Sequence, residues 1–311
     1  MGRLIATRLG WMVPTFLVIT ALTFAMAHLA PGDPLLLSDD PSASLDTVAQ
    51  ARSQLGLNRP LVERYVTWVG RLVRGDLGTS AVDREPVRAK IGAALPRTVL
   101  VSGLALVVSC LVALGLGLLL AARRDAGWAR VLAASLTVAS GVPSFWVAVM
   151  ALLLFATPRG VEWFPLQGLE GPSHLVLPVA CLAWPTVAML TRYVHAGVAK
   201  ALEQDFVRAA RARGLTERRV LLFHALPNAL VPLVTVLGLH LPHVFAGSVV
   251  IERVFGIQGM GLLAFDAIGT RDYPVVMGVA TVMAAVTLGS MLLADVAALA
   301  VDPRLAAGVR R

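Results

Sequence analysis

The chain has 311 residues, 57% of them hydrophobic and only 15% charged, with a mean hydropathy of +0.75. Soluble domains carry about 45–50% apolar and about 25% charged residues, so this composition excludes an ordinary cytosolic enzyme, a disordered chain and a secreted disulfide scaffold, and leaves a polytopic membrane protein. The net charge of +8, from 27 basic and 19 acidic residues, would point a soluble protein toward nucleic acid; its meaning here depends on where the charges fall.

A helix that crosses the hydrocarbon core needs about 20 apolar residues. Six stretches of 21 residues or more contain no Asp, Glu, Lys or Arg: 9–32, 98–122, 131–158, 171–191, 220–251 and 273–294. The next, 254–265, has only 12, so the spacing predicts an all-α polytopic protein with six transmembrane helices. No run alternates polar and apolar residues, which excludes membrane β-barrel strands. Arg3 and Arg8 precede the first run, and Ala25-Met26-Ala27 near its end loosely matches a signal-peptidase site. The run exceeds the about 7–15 residues of a signal peptide's apolar region, so it reads as an uncleaved span.

Segment 33–97 is loop and short helix. A pattern opens at Asp46-Thr47 and runs to Leu55, and Leu61, Tyr65, Trp68, Val69 and Leu72 mark an amphipathic helix. Its two compatible readings are a lid on the membrane face and a contact surface at the pore mouth. Cys110 and Cys181 fall inside spans, as small buried hydrophobes without disulfide or metal spacing. Pro143, Pro185, Pro227, Pro232 and Pro242 are expected to break or kink spans, and the carbonyls they free need protein partners rather than lipid.

Segment 192–228 is too polar for lipid and too patterned for a tail. Glu203 and Asp205 suit a helix's first turn; Phe206, Val207, Ala209 and Ala210 follow, interleaved with Arg208, Arg211 and Arg213. Gly214 is a natural helix stop, and Thr216 is placed to cap a second short helix that Pro227 interrupts. This is a helix–Gly–helix hairpin, either docked on a partner or lying on anionic lipid. In the fifth run His240 and His243 flank Leu241-Pro242. They read as a pore-lining pair or as two neutral imidazoles bonded to neighbouring helices; two histidines without a third ligand do not complete a metal site. Glu252 and Arg253 stand just outside that run, as a gate at the mouth or as markers of the interface. Asp295, near the end of the sixth, is placed to pair with an arginine at the same face.

With six spans both termini share a side, and that side gathers fifteen Lys and Arg residues, seven of them in 192–219. The two short loops opposite hold only Arg159, Arg253 and Arg271. Segment 33–97 holds nine, nearly neutralised by eight acids, and is long enough to escape the rule. Both termini and the 192–228 hairpin are therefore expected to be cytoplasmic, and the basic surplus reads as topology, with no nucleic-acid partner.

The chain's two lysines, Lys90 and Lys200, each follow alanine, so it has no G-x-x-x-x-G-K-[ST] loop to cradle a nucleotide. The six runs hold none of the buried acids or arginines that ion-driven carriers use, and no Ser–His or paired-acid constellation for an intramembrane enzyme. Energy for any transport is expected from a partner at the cytoplasmic face.

Arg208-Ala209-Ala210-x-x-x-Gly214, nine residues, then His224-x-Leu226-Pro227 resembles the E-A-A-x-x-x-G-x9-I-x-L-P loop of ABC importer permeases, with Arg208 in place of Glu and His224 in place of Ile. Asp205-Phe206-Val207-Arg208-Ala209-Ala210-Arg211-Ala212-Arg213-Gly214-Leu215 and His224-Ala225-Leu226-Pro227-Asn228 are similar to the peptide-importer branch's form. Further matches run along the chain: Pro31-Gly32-Asp33-Pro34, Leu55-Gly56-Leu57, Gly75-Asp76-Leu77-Gly78-Thr79-Ser80, Val250-Ile251-Glu252, Gly259-x-Gly261, Arg271-Asp272-Tyr273-Pro274 and Asp302-Pro303-Arg304. In this order they resemble the first permease subunit of the dipeptide/oligopeptide/nickel importers.

The resemblance implies a type I importer permease fold in the cytoplasmic membrane. It divides the chain into a first segment (1–32), an external segment (33–97), a five-helix core (98–301) with the hairpin at 192–228, and a tail (302–311). It implies a homologous second permease, two ATPase subunits that bind ATP-Mg and dock on the hairpins, and an external substrate-binding protein. The chain itself needs no cofactor and carries no catalytic site. Asp205, Arg208, Ala209, Ala210, Arg211, Arg213, Gly214, His224 and Asn228 are the implied coupling residues, with His240, His243 and Glu252 as pore or gate candidates. The cargo is short peptides; nickel or a metal chelate on the same architecture is the alternative, and a secondary carrier a more distant one.

Overall fold

The computed structural model describes residues 2–29 and 59–301. In chain order these form α1 (Gly2–Leu29), α2 (Leu61–Val73), α3 (Val87–Ala122), α4 (Gly127–Ala139), α5 (Ser144–Phe155), α6 (Pro172–Leu202), α7 (Asp205–Ala212), α8 (Glu217–Val220), α9 (Leu226–Phe255), α10 (Met260–Gly269) and α11 (Tyr273–Val301). A π-helical turn, Leu221–Ala225, leads into α9. The sequence features at 31–34, 46–57 and 302–304 lie outside the described residues, as do the side chains of His240 and His243.

Among the described residues four segments are long and apolar enough to cross a membrane: Ile5–Leu29, Val87–Ala122, Pro172–Leu202 and Tyr273–Ala297. They coincide with four of the charge-free runs. The run at 131–158 differs, because it divides into α4 and α5, bent by 103°. Pro143 stands at the N-cap of α5; it donates no N–H and drives Val142 out of the helical region, so the break falls there. Trp184 Nε1 donates to the Ala139 carbonyl at 3.0 Å and pins the bend to α6. A second bent pair joins Ser248–Phe255 to α10 at 80°. Counting each pair as one span gives up to six.

The other prolines do not break their helices. α6 runs continuously through Pro178 and Pro185, and α9 through Pro232 and Pro242. Pro227 falls in the first turn of α9, directly after the π-turn. The π-turn widens the helix just ahead of it: the Leu226 N–H bonds to the Leu221 carbonyl, five residues back, which makes room for the ring where it would otherwise meet the preceding turn.

Lipid tails are as apolar as leucine, so helix packing in a membrane rests on close van der Waals approach. α3 supplies it with small side chains four residues apart. Ala105, Ser109, Ala113, Gly117 and Ala121 are all buried, and they lie on one ridge. Against this ridge α6 presents Cys181, Leu190, Val194 and Val198, also buried. A Cβ on Gly117 would stand 2.5 Å from Val194 Cγ1, and one on Gly238 of α9 would stand 2.0 Å from the Ala294 Cβ of α11. The ridge contributes to two core clusters, one joining α3, α5, α6 and α9 around Phe255, the other joining α3, α6 and α9 beside the π-turn.

The helices define two faces. One is basic, with Arg123, Arg124 and the α7–α8 hairpin; there Arg8 Nε approaches Asp295 Oδ2 at 3.2 Å, joining α1 to α11 as the sequence anticipates. The opposite face carries α2, the start of α3, the loop before α6, and α10. Replacing Gly117 by Leu is expected to force α3 and α6 apart at a cost of about 1–3 kcal/mol. A thermal melt of the detergent-purified protein measures this; an unchanged midpoint contradicts the packing.

Candidate functional site

At the opposite face Glu252, which the charge count places just outside the fifth run, is fully buried. α9 continues beyond the charge-free run to Phe255 and stops at Gly256, whose φ of 63° needs glycine. The chain turns back, so Glu252 meets the N-terminus of α10. Its Oε2 accepts from the N–H groups of Gly261 at 2.7 Å and Leu262 at 3.1 Å. Its Oε1 accepts from Thr98 Oγ1 at 2.6 Å, and Thr98 Oγ1 accepts in turn from the Met260 N–H at 2.7 Å. One carboxylate thus caps α10, satisfies donors that a helix start leaves open, and ties α9 and α10 to α3. The Gly259-x-Gly261 motif follows from this approach: a Cβ on Gly259 would lie 2.4 Å from the Glu252 carboxyl carbon, and one on Gly261 2.4 Å from Val249 Cα.

A second buried acid works alike. Asp272, 3% exposed, opens α11. Its Oδ2 accepts from Ser80 Oγ at 2.5 Å and its Oδ1 from the Ala81 N–H at 3.0 Å. The Gly75–Ser80 and Arg271–Pro274 motifs are thereby joined across the face. The loop between them is held by Gly78, at φ 83°, and by Asp83, which pairs with Lys90. Lys90 and the Glu85 N–H hold the exposed Asp83 carboxyl well below its usual range, to about 2. Arg97 Nη1 donates to the Gln258 carbonyl at 3.1 Å, and Arg253 lies over the Phe265 ring, 4.8 Å from its centroid, and 3.6 Å from Asp266.

At the basic face the predicted hairpin is present. Asp205 opens α7, while Glu203 caps the end of α6 instead. Gly214, at φ 78°, closes a Schellman motif: its N–H bonds to the Arg211 carbonyl at 2.9 Å, and the Leu215 N–H to the Ala210 carbonyl at 3.4 Å. Val207, Ala210 and Val220 are buried together under Leu202 and Leu215, so the hairpin holds its own small core. Thr216 stands at the N-cap of α8 without a side-chain cap bond. Arg211 instead braces the turn, with Nε and Nη2 donating to the Glu217 carboxylate at 2.7 and 3.0 Å. Arg208 reaches Asp205 at 3.3 Å, Arg213 and Ala209 are exposed, and Asn228 Nδ2 donates to the His224 carbonyl at 2.7 Å. Phe206 and Phe223, 41% and 71% exposed, stand out from this charged surface. Ala209, Arg208 and Arg213 thus share an outward surface with Phe206, while Ala210 turns inward.

Two groups of sites result, at opposite ends of α9. The sequence points to Glu252 but not to Thr98, Ser80 or Asp272 as its companions and counterpart. The one local sign is the glycine pair a few residues past Glu252, which has no use in a helix start unless something approaches closely.

A helical membrane protein with a braced loop at one face and a short hairpin at the opposite, basic face is the class these features define. Residues 113–307 match the family described as binding-protein-dependent transport system inner membrane component, and residues 1–102 match the N-terminal region of such membrane components. The chain belongs to this family and is a multi-pass membrane protein. It is 35% identical, over 98% of its length and 99% of the relative's, to the oligopeptide transport system permease protein AppB of Bacillus subtilis strain 168. It is 31% identical, over 96% of its length and 97% of the relative's, to the glutathione transport system permease protein GsiC of Salmonella paratyphi A. Among solved structures, an amino acid ABC transporter crystallised with histidines matches 70% of this chain and 94% of its own at 19% identity, with a TM-score of 0.48.

Removing the Glu252 carboxylate strands buried N–H and O–H donors, so Glu252→Ala is expected to cost about 2–5 kcal/mol. Glu252→Gln, which keeps an acceptor oxygen, costs less; equal melting temperatures for Ala, Gln and parent contradict the cap. The Glu217 carboxyl is held below its ordinary value by the Arg211 hydrogen bonds. A lowered value means that its contribution is present above the ordinary carboxylate range and fades as pH falls through the lowered one. The pair is exposed, so Glu217→Gln should cost less than about 1 kcal/mol, and the loss should be flat between pH 5 and 8 in melts; a loss that grows across that range contradicts the pairing.

Proposed function

We propose that this chain is one permease subunit of an ATP-driven importer of short peptides. It carries six spans with both termini cytoplasmic, the bent pair α4–α5 and α9 each crossing once. The observation that carries the reading is the α7–α8 hairpin, self-packed beneath and outwardly charged, with Phe206 and Phe223 exposed. Exposed phenylalanines on a surface that also exposes arginines suit a partner protein better than water. The partners in this reading are a homologous second permease, two ATPases that bind ATP-Mg, and an external binding protein. This chain holds no nucleotide and performs no catalysis.

Coupling follows from continuity. The hairpin leads through the π-turn into α9, and Glu252 lies in the last turn of α9. A displacement of α7 by the ATPase pair moves the basic end of α9, and the Glu252 cap makes α10 and the start of α3 follow at the other end. Asp205, Arg208, Ala209, Arg213, His224 and Asn228 form or flank the ATPase-facing surface, while Ala210, Arg211 and Gly214 set its shape. His240 and His243, in the middle of α9 by position, are the pore-lining candidates of this reading. The relatives named for oligopeptide and glutathione transport favour peptide cargo over nickel.

Gly214→Val places a β-branched residue at φ 78°, which strains the turn by about 1–3 kcal/mol. In the reconstituted complex this variant should still assemble but lose most substrate-stimulated ATP hydrolysis. Full stimulation in an assembled Gly214→Val complex would remove the hairpin from coupling.

A further inference from the structure

α2 has more apolar surface than it uses. On a helical wheel Leu61, Tyr65, Trp68 and Leu72 share one face. Leu61, Tyr65 and Trp68 pack on Phe24 of α1 and on Tyr273 and Met277 of α11. The flank beside them carries Val62, Val66 and Val73, which are 72%, 63% and 82% exposed. The remaining arc is polar, with Glu63, Thr67 and Arg71. The helix therefore has three faces: one against protein, one polar and one of bare valine.

The depth of α2 says what covers the valine. The Arg8–Asp295 pair marks one edge of the hydrocarbon. At 1.5 Å per residue, a core of about 30 Å carries α1 from Arg8 to about residue 28 at the other edge. The Tyr65 hydroxyl lies 2.9 Å from both the Leu17 carbonyl oxygen and Thr20 Oγ1. Those residues sit some 12–16 Å short of that far edge. A phenol is too short to reach them from a helix lying in water, so the α2 backbone is sunk below the edge, at the about 5–10 Å depth of interfacial helices. α1 likewise leaves Val18, Leu22 and Met26 exposed. Charge agrees: Arg59, Arg64, Arg71 and Arg74 face a single Glu63 across 59–74, a surplus suited to lipid phosphates.

We propose that α2 is an interfacial anchor, its Val62–Val66–Val73 flank seated in the acyl chains of the leaflet opposite the basic face and its arginines among the phosphates. The proposal requires only that α1 spans the membrane, and it stands whether or not peptides are the cargo. Anchored in this way, α2 fixes the outer ends of α1 and α11 at a set depth.

Spin labels test this in the assembled complex in phospholipid vesicles, on a background with Cys110→Ala and Cys181→Ala. One label is placed through Val66→Cys, a second on the same flank through Val62→Cys, and a third on the polar arc through Thr67→Cys. Collision with oxygen, which concentrates in lipid, is compared with collision with a water-soluble nickel chelate. The ratio of oxygen to chelate collisions should be severalfold higher at 62 and 66 than at 67. Equal, chelate-dominated ratios at all three positions would overturn the proposal by placing the flank in water. Labels at 62 and 66 shielded from both reagents would overturn it in favour of a protein partner.

Discussion

The opposite face depends on a carboxylate buried where the membrane meets water. Leaving Glu252 ionised and unpaired there would be prohibitively costly, so the structure must surround it with donors. It does this with Thr98 and with the N-terminus of α10. The consequences spread from that need. α9 must stop at Gly256 and reverse, Gly259 and Gly261 must lack side chains, and α3 must bring Thr98 to within 2.6 Å. Asp272 repeats the device one helix later, at the start of α11, and uses it to hold the loop that precedes α3. The two acids thus join four helices and a loop of one face with hydrogen bonds to backbone and hydroxyl groups. Such bonds have narrow geometry, so they resist the displacement of one element without the others.

The other end of α9 is built to the opposite specification. The hairpin's core is small, with Val207, Ala210 and Val220 at its centre, and its outer surface is charged and exposed. A unit that holds its own shape while offering arginines and two phenylalanines is suited to contact rather than to burial in the bundle. The π-turn joins it to α9 without a break in helical backbone. A π-turn stores a local irregularity at a junction, and here the irregularity lies where the proposed coupling element enters the bundle. Between the two ends the α3–α6 ridge of small residues gives backbone-close packing without directional bonds, which permits sliding more readily than the clamp does.

Much of this was legible in the sequence. Charge-free runs located α1, α3, α6 and α11 because the bilayer excludes unpaired charge. Gly214 announced the hairpin stop because a left-handed residue is cheap only as glycine. The spacing of Leu61, Tyr65, Trp68 and Leu72 located α2, and the position of Asp295 anticipated Arg8. Long-range pairing was not legible. Thr98 and Glu252 are 154 positions apart, and Ser80 and Asp272 are 192 apart; neither pair leaves a local period. Counting charges placed Glu252 just outside the fifth run, but a count cannot see the cap that buries it. The prolines differ in effect. The helix breaks at Pro143, yet α6 and α9 absorb theirs, because neighbouring helices decide whether a lost hydrogen bond ends a helix.

The central claim is that this chain is a passive, shape-changing conduit whose energy is supplied from the basic face by a nucleotide-driven partner. Uptake of a labelled tripeptide into vesicles containing the assembled complex and its binding protein tests it most directly, with ATP inside or outside and with ion gradients imposed or dissipated. The account predicts uptake that requires ATP on the side of the hairpin and persists when a proton ionophore collapses the gradient. Uptake that proceeds without ATP and vanishes with the ionophore would contradict it.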